Sequence, residues 1–69
     1  MSNLKNIRTG AGLSQSQLAA LSGVSGRMIQ YYEQGYKDIN KASIDTAFRL
    51  AVALQCRIED LLEKDRLEP

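Results

Sequence analysis

The chain has 69 residues, 43% of them hydrophobic and 25% charged, and a formal net charge of +1; this suits one domain, 1–69, with a small core, and nothing larger. With no histidine and a single cysteine, Cys56, a metal site, a cofactor, an internal disulfide and catalysis are all poorly provisioned. No apolar run approaches the about 18 residues of a membrane span, and the start, Met-Ser-Asn-Leu-Lys, lacks the apolar stretch of a secretion signal, so the expected compartment is the cytoplasm.

In chain order, Leu4, Ile7, Arg8 and Ala11 share one face of a first helix, which should stop near Gly10-Ala11-Gly12, where two glycines let the chain turn. Ser14 opens a second helix. Its "SQSQ" has the spacing of a capping box, the Ser14 hydroxyl accepting from the Gln17 N–H while the Gln17 side chain returns to Ser14. Leu18 and Leu21 are the large apolar residues of this helix, Ala19 is the small one, and Gly23 ends it in a left-handed conformation. Ser25 caps a third helix, "GRMIQYYEQ", which Gly35 closes in the same way. Along it Ile29, Tyr32 and Glu33 fall together, whereas Arg27, Gln30, Tyr31 and Gln34 follow the spacing of the opposite face. One side docks and the other is left to read something.

"YKDINKA", residues 36 to 42, has no persistent period and reads as a loop. Ser43 caps a fourth helix, with Asp45 in its first turn and an apolar stripe of Ile44, Ala47, Phe48, Ala51 and Leu54. The stripe loses phase at Gln55 and Cys56, and Ile58, Leu61 and Leu62 restart it on a short fifth helix. The end, residues 62 to 69, is charged and expected to fray. No stretch alternates with a period of two, so the fold class is all-α, a compact five-helix bundle. Leu61, Leu62 and Leu67 leave more apolar surface than a fraying end needs, which points to a homodimer contact there.

Charge is unevenly divided. Residues 1–41 carry Lys5, Arg8, Arg27, Lys37 and Lys41 against Glu33 and Asp38, a net +3, whereas residues 42–69 carry four cations against six anions, a net −2. A basic N-terminal half suits a polyanion.

The run from Gln15 through Leu18-Ala19, Gly23-Val24-Ser25 and Ile29 to Glu33 and Gly35 resembles the helix-turn-helix of the phage-repressor and Cro-like (XRE) family of DNA-binding domains, and the likeness extends over residues 4–62. A small residue at Ala19 lets the two helices cross closely, Gly23 makes the turn, and Ile29 pins the second helix of the pair. The resemblance implies a repressor-like bundle in which the third helix enters the major groove of double-stranded DNA with its N-terminal residues at base edges. It assigns base reading to Gly26, Arg27, Gln30 and Tyr31. Arg27 suits guanine O6 and N7, Gln30 suits adenine N6 and N7, and the Tyr31 ring suits a thymine methyl; Gly26 offers only backbone. It assigns phosphate contacts to Gln15 and Ser25 on one side and to Gln34, Tyr36 and Lys37 around the exit turn on the other.

The resemblance also pairs Arg8 with Glu33 as an ion bridge between the first and third helices, and Cys56, which stands where the family usually has valine, is expected in the core; Tyr32 is expected there because its phase matches Ile29. The loop 36–42 is longer than the family's usual connection and lacks its customary proline, and Arg57 stands where a Ser or Thr cap is usual. The implied function is a sequence-specific transcriptional regulator, a repressor acting as a homodimer on a palindromic operator. Two alternatives stay open: an antitoxin-like autoregulator that also holds a toxin partner, and an interaction module that kept the fold without binding DNA. Arg27 and Gln15 favour DNA over the interaction module.

Overall fold

The computed structural model describes residues 2–64. Helix α1 spans Asn3–Gly10, α2 Gln15–Ser22, α3 Gly26–Gln34, α4 Ile44–Leu54 and α5 Ile58–Leu61, with a single turn of 3₁₀ helix at Ile39–Lys41 between α3 and α4. Every described element is helical, as expected of an all-α bundle.

Serine starts four of the five α-helices. The hydroxyls of Ser2, Ser14, Ser25 and Ser43 each accept the backbone N–H three residues on, and at Ser14 the Gln17 side chain completes the capping box. Such a cap typically stabilises a helix by about 1 kcal/mol, which matters in elements of eight to eleven residues. α5 lacks a hydroxyl at Arg57, and the Asp60 carboxylate accepts the Arg57 N–H at 3.0 Å instead. Gly23 and Gly35 end α2 and α3 at φ of 76° and 84°, where a side chain would meet its own carbonyl. α4 ends on Gln55 at φ 56°, the described non-glycine residue with positive φ, which is why the apolar stripe loses phase there.

The deepest core is made of one side chain from each α-helix: Leu4, Leu18, Ile29, Leu50 and Leu61, all essentially without exposure. Around them lie Val24, Tyr32, Ile39, Ala51 and Leu54. Burying an aliphatic side chain of this size is worth about 1.5–3 kcal/mol, so five short helices that could not persist alone hold one another in place. Cys56 is partly buried against this cluster, and burial, with Asp60 nearby, pushes its thiol pKa up. It is kept as a neutral, poorly nucleophilic thiol.

Four expectations need correction. The buried side of α4 is Ala47, Leu50, Ala51 and Leu54, while Ile44 and Phe48 are exposed. Eight of the eleven residues of α4 are apolar, so its apolar surface is wider than one docking face and periodicity alone could not centre it. Leu61 is fully buried and can take no part in a dimer contact; Leu62 is half-buried, and Leu67 lies outside the described residues. The 36–42 loop contains the 3₁₀ turn, capped by Asp38, and anchors itself through buried Ile39. Finally, the start of the expected fraying tail is pinned. Glu63 is buried, its carboxylate accepts the Asn3 N–H at 3.2 Å, and its backbone exchanges two hydrogen bonds with the Asn40 side chain at 2.8 and 2.9 Å. The Asn3 amide adds a bond to the Leu62 carbonyl. Residues 65–69 of that tail lie outside the described residues.

Candidate nucleic-acid interface

α2, the three residues Gly23-Val24-Ser25 and α3 form a tight helical corner. Val24 is buried, and its N–H is held by the Ser22 hydroxyl at 3.1 Å. Ala19 of α2 faces the start of α3 so closely that a Cβ placed on Gly26 would lie 4.0 Å from the Ala19 Cβ, which is ordinary contact. A Cβ on Gly23 would approach the Arg49 guanidinium to 3.1 Å, in addition to the strain of its positive φ. Ile29 and Tyr32 complete the seat of α3 on the core.

A polar network locks α3 against the first two helices. Arg8 donates from Nε to Glu33 Oε2 at 2.7 Å and from Nη2 to Oε1 at 3.0 Å, a bidentate pair, and from Nη1 to the Leu13 carbonyl at 2.8 Å. Gln15 Nε2 donates to the same Glu33 Oε1 at 3.0 Å. The two charged side chains retain only 10% and 3% of their exposure, so each depends on the other for solvation. Burial pushes the Glu33 carboxyl pKa up, but the bonds from Arg8 and Gln15 and the positive charges of Arg8 and Lys5 outweigh it and hold the group below the ordinary carboxylate range. The Glu33 bond likewise raises the Arg8 guanidinium pKa against the cost of burial. Arg8 is therefore spent internally and adds nothing to a basic surface.

The outward side of α3 is different in kind. Arg27, Gln30 and Gln34 are exposed and Tyr31 and Gly26 are half-buried. The Tyr31 ring meets Tyr36 edge to face at a centroid distance of 5.9 Å. Tyr36 and Lys37 are exposed, and both of their N–H groups bond the Tyr31 carbonyl, at 2.9 and 3.2 Å, so the exit turn is fixed relative to the helix. Ser25 is exposed while its hydroxyl oxygen caps α3. Lys37 and Lys41 border a shallow hollow beside Met28 and Tyr32.

Sequence reasoning missed two internal contacts beside this surface, one of them made by a residue it had assigned to a phosphate. Gln15 is half-buried and engaged with Glu33 as well as standing at the start of α2. One of its two amide hydrogens is used there and the other remains. Asn40 is turned inward to Glu63, and nothing local in "DINKA" announces a partner 23 residues away. No described helix is long and apolar enough to cross a membrane. The helix-turn-helix family model matches residues 4–61 of the chain. No curated protein matches it.

Proposed function

Because the chain belongs to the XRE-type helix-turn-helix family of DNA-binding transcription regulators, we propose that it acts as a repressor, reading a palindromic operator through the major groove as a homodimer. The observation that carries this reading is the division of α3 between a locked inner side, Ile29, Tyr32 and Glu33, and an outer side whose Arg27, Gln30 and Gln34 make no side-chain bond to another described residue. Donors left unpaired on a rigid helix suit base edges, because their own positions need no further ordering.

In this reading Arg27 gives two hydrogen bonds to a guanine, Gln30 pairs with an adenine, the Tyr31 ring packs on a thymine methyl, and Gly26 lets the backbone approach. Gln15 uses its remaining amide hydrogen, with the unpaired N–H groups at the start of α2, to hold a phosphate. The Ser25 hydroxyl still has its own hydrogen to donate to that strand, and Gln34, Tyr36 and Lys37 hold the other. Two subunits place their recognition helices about 34–36 Å apart, one duplex turn. Repression follows from occupying the operator.

Selection of bound sequences from a random duplex pool tests it. Two inverted half-sites should emerge, and Arg27→Ala should lose the preference at one base pair in each. Gln15→Ala, once shown to be folded, should weaken all duplexes alike, since a phosphate carries no sequence information. A pool that yields no preferred sequence, or an Arg27→Ala protein with unchanged preference, would sink the reading.

A further inference from the structure

Ile44, Phe48 and Val52 are exposed by 82%, 57% and 58%. They recur every fourth residue on α4, so they form one continuous apolar row beside the face already docked on the core. Isolated exposed apolar residues need no explanation, but a row of three large ones on one helix marks a surface made to be covered. Its charged flank says by what. Asp45 and Arg49 run along the outer edge of the row, bonded at 2.9 Å and both well exposed, negative toward the helix N-terminus and positive toward its C-terminus.

We infer that this row is the surface through which two copies of the chain pair, α4 against α4 in antiparallel orientation about a twofold axis at Phe48. An isologous contact must be complementary to itself. Antiparallel pairing meets that condition, because the twofold keeps the charged flanks on the same side and brings Asp45 of each copy alongside Arg49 of the other, within about 3 Å along the helix axis at 1.5 Å per residue. Phe48 then meets its own counterpart, and Ile44 meets Val52. Parallel pairing would put the two flanks on opposite sides and leave the charges unmatched. With three side chains at its centre the contact belongs to the small class, below about 1,200 Å² in total, so the dimer is weak and depends on concentration. This rests on the homodimer of the reading above and moves its contact from the C-terminal leucines, of which Leu61 is buried, to α4.

The experiment uses the full chain. In sedimentation velocity the wild type should pass from monomer to dimer as concentration rises, and Phe48→Glu should stay monomeric, with unchanged helicity and, at concentrations where the wild type is a monomer, unchanged melting. In a Cys56→Ala background, Phe48→Cys should oxidise to a disulfide-linked dimer. Ile44→Cys and Val52→Cys should each stay largely uncrosslinked alone and link to one another when mixed. A wild type that is monomeric at every accessible concentration overturns the inference and leaves the row to a different protein; so does a dimer that Phe48→Glu leaves intact. Self-linking of Ile44→Cys without mixed linking overturns the antiparallel register. Crosslinks as expected in a protein that selects no duplex would remove the DNA reading and keep the interface. Two selected half-sites without the crosslinks would do the reverse.

Discussion

α3 and α4 both lie on the core with one side and face outward with the other, yet they are built on opposite plans. α3 is seated by two apolar side chains and a buried carboxylate, Ile29, Tyr32 and Glu33, and shows solvent a polar side. α4 is seated by Ala47, Leu50, Ala51 and Leu54 and shows solvent another apolar row. A helix with a polar outer side has only one way to dock. A helix that is apolar nearly all round can dock in two adjacent orientations, and what chooses between them is the shape of its neighbours. In α4 the small Ala47 and Ala51 allow close approach and Leu50 reaches the centre, so Phe48 is left outside.

The sharpest way to break this comparison is through the polar lock of α3. Arg8→Met should cost about 3–5 kcal/mol, because it strands the Glu33 charge in the interior, and chemical denaturation at neutral pH should show most of the protein's stability gone. Next come two substitutions on one helix: Leu50→Ala should cost about 2–4 kcal/mol and Phe48→Ala no more than about 0.5 kcal/mol. Equal costs in denaturant titrations would mean that α4 has no preferred side. On α3 the outer side should matter for binding alone. Arg27→Ala should lose about 1–3 kcal/mol per half-site on a selected duplex and leave the melting temperature where it was.

Acid should act on α3 through Glu33. The Glu33 carboxyl titrates below its unfolded value, so the unfolded chain binds the extra proton and the stability Glu33 contributes is present above the ordinary carboxylate pKa. That contribution is lost as pH falls through the lower, folded value. Stability plotted against pH should therefore fall in the acid range for the wild type and fall less steeply for Glu33→Gln. The smallest effect belongs to the end of α4. Gln55→Gly should raise stability by up to about 0.5 kcal/mol in the same titrations, since glycine accepts the positive φ that glutamine adopts at a cost, partly offset by glycine's freer unfolded state.

Much of this was legible from local chemistry. The serine caps, the capping box at Ser14, the left-handed Gly23 and Gly35 and the docked side of α3 all follow from residues a few positions apart. The Arg8–Glu33 pair came instead from a resemblance, since no local rule joins residues 25 apart. What escaped was set by shape or by distance along the chain. The docked side of α4 depends on which neighbour leaves room, the inward turn of Asn40 depends on Glu63, and the second duty of Gln15 depends on where Arg8 holds Glu33. The outer side of α3 was visible as uncommitted polarity, because its residues follow helical spacing within one short segment.

The hydrogen bonds among Asn3, Asn40 and Glu63 span separations of 60 and 23 residues, in a chain whose other contacts are mostly local. Helices can form early in folding, each within its own segment, but the bond from Asn3 to Glu63 closes the largest hydrogen-bonded loop among the described residues, and this clamp must wait for it. During synthesis the turn that follows α3 stays without its clamp until residue 63 has emerged, so the polar side of α3 gains its final framing only then. In native-state hydrogen exchange the amides of Asn3 and Glu63 should consequently report the opening of the whole domain, despite lying at its two ends.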